Sequence, residues 1–140
     1  MAGQITDDFV LELIKTCLRD KQIFEIVREH IKYTYFPSEA HKKIWKAMSI
    51  FYNASTPNKL PSFGILSQQH SSDLDVLECL DKIKNIESPD KKEILTQFEI
   101  FVKQSKFVEA YDKLGDLYND GKKDEAFNLM NKVSEELASF

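Results

Sequence analysis

Little in this sequence breaks a helix. Its 140 residues include only four glycines and four prolines, too few for the frequent tight turns of a many-stranded β fold. Cysteine is scarce as well. Cys17 and Cys79 stand alone, with no Cys-x-x-Cys pairing, which argues against a disulfide framework or a zinc site. Both lie among apolar neighbours at helical spacing and read as buried free thiols. No apolar run is long enough for a membrane span, and the opening Met-Ala-Gly-Gln-Ile-Thr-Asp-Asp has no basic secretion segment. A reducing, cytoplasmic setting is the expectation. Nor is there an excess of positive charge: 19 basic against 23 acidic residues give −4, the wrong sign for a domain built mainly to hold nucleic-acid phosphates. The basic pairs, such as Lys42-Lys43 and Lys122-Lys123, sit among acids as on solvated helix faces. Contact with DNA is not expected to dominate.

Chemistry is equally sparse. The Gly115-x5-Gly121-Lys122-Lys123 stretch has a superficial likeness to a phosphate loop. Its spacing is one residue too long, no Ser or Thr follows the lysine, and Gly115 falls inside a helical pattern. A helical backbone cannot turn its N–H groups inward around phosphates. His30, His41 and His70 are not at ligand spacing with one another or with the cysteines. Carboxylates are plentiful, but none shares an evident apolar pocket with a second acid, and no Gly-x-Ser-x-Gly motif occurs. The expectation is a chain with no catalytic, metal-binding or cofactor-binding residue.

What is present is helical periodicity. Val10, Leu13, Ile14, Cys17 and Leu18 mark one helix face, and after Asp20, an N-cap, Ile23, Ile26, Val27, His30 and Ile31 mark a second. Tyr33 to Pro37 is an aromatic connector, since proline pushes Phe36 out of the helical region. Ser38 caps a third helix with a stripe of Ala40, Ile44, Ala47, Met48 and Phe51, widened by Trp45 and Tyr52. A loop over 53–61 precedes a short helix from Ser62 to about Gln69. Ser72 with Asp75 resembles a capping box opening a helix through Val76, Leu77, Leu80 and Ile83. Ser88-Pro89 marks the start of a long helix along Ile94, Phe98, Phe101, Val102, Ser105, Val108, Tyr111, Leu114 and Tyr118. Gly121 ends it in a left-handed cap, and a last helix carries Ala126, Leu129, Met130, Val133 and Leu137.

The class is therefore all-α: a small helical globular head over 1–88 and a long antiparallel helical hairpin over 89–140, together one structural domain. The hairpin carries more apolar surface than so short a chain can cover, and surplus of that kind marks an interface. The segment 110–126 also looks like one tetratricopeptide unit, but no second copy follows at a 34-residue period.

Taken in order, these stretches resemble the N-terminal domain of the DnaB-like replicative DNA helicases of bacteria and phages. Phe9 to Asp20 is similar to the family's opening helix and its Asp-bearing turn. Phe36-Pro-Ser-Glu-Ala40-His41-Lys-Lys-Ile44-Trp-Lys-Ala47-Met48 resembles its Phe…Ala-His-Arg-x-Ile-Phe-x-Ala-Ile stretch. Leu60 to Leu66 sits where the family has Val-Asp-x-x-Thr-Leu, with Ser62 in place of Asp. Phe98 to Leu137 resembles the family's long hairpin. The stretch over 70–87 departs from the pattern, being shorter and lacking a Gly-Gly turn, and the ATP-binding motor domain is absent.

The resemblance implies a non-catalytic collar domain. It would stabilise a ring and dock primase or a helicase loader, pairing with itself through the hairpin as a dimer and as a hexamer in the full protein. ATP and Mg would belong to the missing motor domain. The implied interface residues are Phe98, Phe101, Val102, Phe107, Tyr111, Leu114, Tyr118, Phe127 and Met130, and a contact within the hairpin or core is equally open to each. His41 and Trp45 are expected in the head's core. A stand-alone helical adaptor or inhibitor that binds a replication component is the alternative function.

Overall fold

The computed structural model describes residues 3–138. Among them are seven α-helices and no strand. They are α1 (Asp7–Arg19), α2 (Lys21–Arg28), α3 (Glu39–Ala54), α4 (Phe63–Gln69), α5 (Leu74–Asn85), α6 (Lys91–Asn119) and α7 (Lys123–Ala138), with a 3₁₀ turn at Tyr33–Tyr35. The all-α class is thus the observed one. The chain divides into two compact units, Gln4–Thr96 and a second built on the residues from Gln97 on. The division falls inside α6, whose first turn is tied into the first unit. Lys91 pairs with Asp20 at 3.3 Å, and Ile94 is buried.

Helix starts are set by short polar side chains that satisfy otherwise orphaned N–H groups. Thr6 accepts from the Phe9 N–H, Asp20 from Gln22, Ser38 from His41 and Ser62 from Ile65. Two starts differ from the sequence expectation. Asp73, not Ser72, caps α5 by accepting from the Val76 N–H at 3.2 Å, and Lys43 anchors the same carboxylate at 2.7 Å. Asp90, not Ser88, caps α6 through the Glu93 N–H at 3.0 Å, which leaves Pro89 outside the helix. The end of α6 follows the Schellman pattern: Lys122 N–H donates to the Leu117 carbonyl, Gly121 N–H donates to that of Tyr118, and Gly121 sits at φ +75°.

The core of the first unit is aromatic at its centre. Phe24 lies 5.1 Å from Trp45 and 5.0 Å from Tyr52 between ring centroids, and Phe36 lies 5.9 Å from Trp45. Tilted pairs at these spacings add to the hydrophobic gain of burying the rings. The buried face of α3 is His41, Ile44, Trp45, Met48 and Tyr52, so Trp45 and Tyr52 lie at the middle of the stripe and not at its margin. α2 ends at Arg28, short of His30 and Ile31; Phe24 takes the buried place and Ile26 is exposed. Arg28 closes this end, its guanidinium 4.8 Å above the Tyr52 ring, while the Tyr52 hydroxyl donates to Glu25.

A buried lysine joins α1 to the end of α5. The Lys15 ammonium donates to the carbonyl of Lys84 at 3.0 Å and to that of Ile86. Those carbonyls are the orphaned, partially negative end of a helix, where a cation is favoured. Nothing in the spacing of Lys15 distinguishes it from a surface lysine.

Candidate interaction surface

α6 owes its unusual surface to the order of its apolar residues. A helix turns about 100° per residue, so Phe107, nine residues after Phe98, emerges about half a turn away from it. Phe98, Val102 and Ser105 are buried on one side of the helix. From Phe107 onward the apolar residues lie on the other side, at Ala110, Tyr111, Leu114 and Tyr118. The apparently continuous apolar stripe therefore winds around the helix. It cannot be covered along its whole length from a single direction.

The second side faces α7. Phe107, Ala110, Tyr111 and Leu114 of α6 line a common groove of about 220 Å³ with Met130, Val133, Ser134 and Leu137 of α7. The groove is lined by the stretch from Phe107 to Leu114 of α6 and by the second half of α7. Ala110 and Ala126 are buried. The rings of Phe107 and Tyr111 stack at 6.5 Å between centroids. Near the turn, the Lys123 ammonium lies 5.6 Å from the Tyr118 ring centroid.

The nine residues expected at an interface are therefore not equivalent. Phe98 and Val102 are fully buried within the chain, and their place is in its core. Phe101 and Leu114 are half-buried. The other five are open to solvent, from 56% exposed at Met130 to 70% at Tyr111, with Phe107, Tyr118 and Phe127 between. The groove also recruits Ala110, Val133, Ser134 and Leu137, which were not among the expected site residues. The signal for two of them was the helical spacing of Val133 and Leu137 with Met130.

A second, polar cleft lies within the first unit. It has a volume of about 420 Å³ and is lined by Asp7 and Asp8 of α1, the cap residue Ser38, His41 of α3, and Asp75, Glu78, Cys79 and Lys82 of α5, among others. Cys79 is buried, and desolvation pushes its thiol up to about 11. Cys17 is wholly buried and shifted upward, first by desolvation and then by the negative charge of Asp20. Both thiols stay protonated at neutral pH, where thiolate chemistry has little to work with. Among the described residues, no three His, Cys, Asp or Glu side chains are grouped so as to hold a metal ion. Within the same residues no helix is long and apolar enough to cross a membrane.

No family model, curated protein or solved structure matches the chain.

Proposed function

We propose that this chain is a non-catalytic helical assembly module that binds a second copy of itself through the open apolar side chains in and beside the groove of α6 and α7. The observation that carries the reading is the open cluster of Phe107, Tyr111, Tyr118, Phe127 and Met130. Aromatic side chains bury about 150–250 Å² each. With more than half of each surface still open, the five offer on the order of 500 Å² per copy. That approaches the roughly 800 Å² per partner of a standard interface once flanking residues join. An apolar surface of this size falls within the roughly 300–600 Å² of the largest patch on a typical monomer, and such patches often serve a function.

The finer proposal rests on the resemblance described above: the module acts as the collar domain of a replicative DNA helicase, supporting ring assembly and docking primase or a loader. Its motor domain, with ATP and Mg, would lie outside this chain. In support, the stretch that resembles the helicase pattern supplies interior residues, since His41, Ile44, Trp45 and Met48 are all buried. Such a run of core positions would be retained for folding, while partner specificity would come from the open face.

Light scattering on a sizing column, over a tenfold range of concentration, tests the assembly reading. The wild type should run as a dimer or larger species, and Tyr111→Asp should run as a folded monomer. A wild-type monomer at every concentration would overturn self-assembly. The helicase reading has its own test: co-elution with primase or a loader, lost on Phe127→Asp.

A further inference from the structure

Resting on the self-assembly reading, we infer that two copies of α6 cross at Gly115, where the bare backbone of each lies against the other. Gly115 stands inside α6, where only proline is a less favourable residue. Nothing within the chain requires it. Its backbone is not in the left-handed region, unlike that of Gly121. The residue is exposed, and a Cβ built there meets no heavy atom within 4 Å outside its own stretch of helix. What glycine adds at such a place is access. The distance between packed helices is set by the side chains at the contact, and here there is none.

The neighbours of Gly115 say what approaches it. Gly115 follows Tyr111 by four residues and precedes Tyr118 by three, so the three share one side of α6. Tyr111 is 70% exposed and Tyr118 63%, and Val108 on the same side is exposed as well. At about 100° of turn per residue, Glu109, Asp112, Lys113 and Asp116 all lie about 100° or more from Tyr111 around the helix. The arc from Phe107 to Tyr118 is therefore uncharged, and that selects its occupant. Charges are what steer and select an unrelated partner, and this arc offers none. In twofold pairing each side chain near the axis meets its own copy, and an uncharged arc brings no like charges together.

Two consequences distinguish such a crossing from general stickiness of the face. A larger side chain at position 115 fits the isolated chain but holds two helices apart. A residue on the twofold axis also faces its own copy, so a single cysteine there can be bridged to itself, which needs Cα atoms within about 4.4–6.8 Å.

The test uses the full chain, with light scattering across a concentration series and thermal unfolding in dilute solution. Gly115→Leu should unfold at the wild-type temperature or above, since the monomer has room for the side chain and leucine favours a helix. Its dissociation constant should rise at least about tenfold, because the helices can no longer close. Under mild oxidation Gly115→Cys should form a covalent dimer, whereas Asp112→Cys, on another side of α6, should not. Cys17 and Cys79 are buried, so the wild type serves as the blank. Assembly of Gly115→Leu at wild-type strength, or no covalent dimer from Gly115→Cys, would overturn the crossing. If Tyr111→Asp is monomeric in that same series, self-assembly itself still stands. A wild type that is monomeric at every concentration removes both.

Discussion

Aromatic residues have different fates in the first unit and in the part of the second that follows Phe101. Phe24, Tyr35, Phe36, Trp45 and Tyr52 are all buried in the first, where Tyr33 is the one exposed ring. In the second, Phe98 is buried and Phe101 half-buried, while Phe107, Tyr111, Tyr118 and Phe127 are all more than half exposed. The residue types are the same, so hydrophobicity alone does not decide the outcome. In the first unit α3 packs on α4 and α5, α1 packs on α2 and α5, and α4 packs on α5, so rings on several helix faces find cover. From Phe107 onward the second unit has only α6 and α7, and two helices can cover only the faces they turn to each other. The uncovered apolar face is thus a consequence of element number. It is also the feature that makes the second unit the candidate for assembly.

The sharpest break in this comparison comes from truncating a ring in the covered unit. Phe24→Ala removes the centre of the aromatic cluster and should cost about 3–5 kcal/mol, read as a large shift in the denaturant midpoint. Lys15→Met comes next. It keeps the aliphatic stem but leaves the Lys84 and Ile86 carbonyls without their donor, at a cost of about 1–3 kcal/mol. Gly121→Ala should cost about 1 kcal/mol, since φ +75° strains any residue with a Cβ. Its effect should concentrate in amide exchange of the last turn of α6. The smallest change in monomer stability, within about 0.5 kcal/mol, belongs to Tyr111→Asp and Phe127→Asp. A large unfolding effect from either would mean that these rings are core residues, and the comparison between units would fail.

Much of the fold was legible because caps and periodicity are local. Asp20, Ser38, Ser62 and Gly121 announce their helix boundaries within four residues of sequence. Where Ser72 competed with Asp73, and Ser88 with Asp90, spacing alone could not choose. In the first pair the structure shows Lys43, thirty residues away in sequence, held by the capping carboxylate. The aliphatic stripe alone misplaces the buried face of α3, because that face also carries Trp45 and Tyr52. Lys15 was invisible, since its partners are backbone carbonyls 69 and 71 residues away.

The candidate surface was legible only in composition. Phe98, Val102, Phe107 and Tyr111 share one helical run, and their separation into buried and open sets depends on the half turn between Phe98 and Phe107. That angle can be computed from the sequence, but which side is covered depends on packing that spacing does not specify.

The most direct test of the assembly account is hydroxyl-radical footprinting of the wild-type chain at low and high concentration. Phe107, Tyr111, Tyr118, Phe127 and Met130 should be labelled readily when dilute and become protected together as concentration rises, while Tyr33 stays equally reactive. Unchanged labelling of the five side chains at a concentration where the protein is oligomeric would place the interface elsewhere and contradict the account.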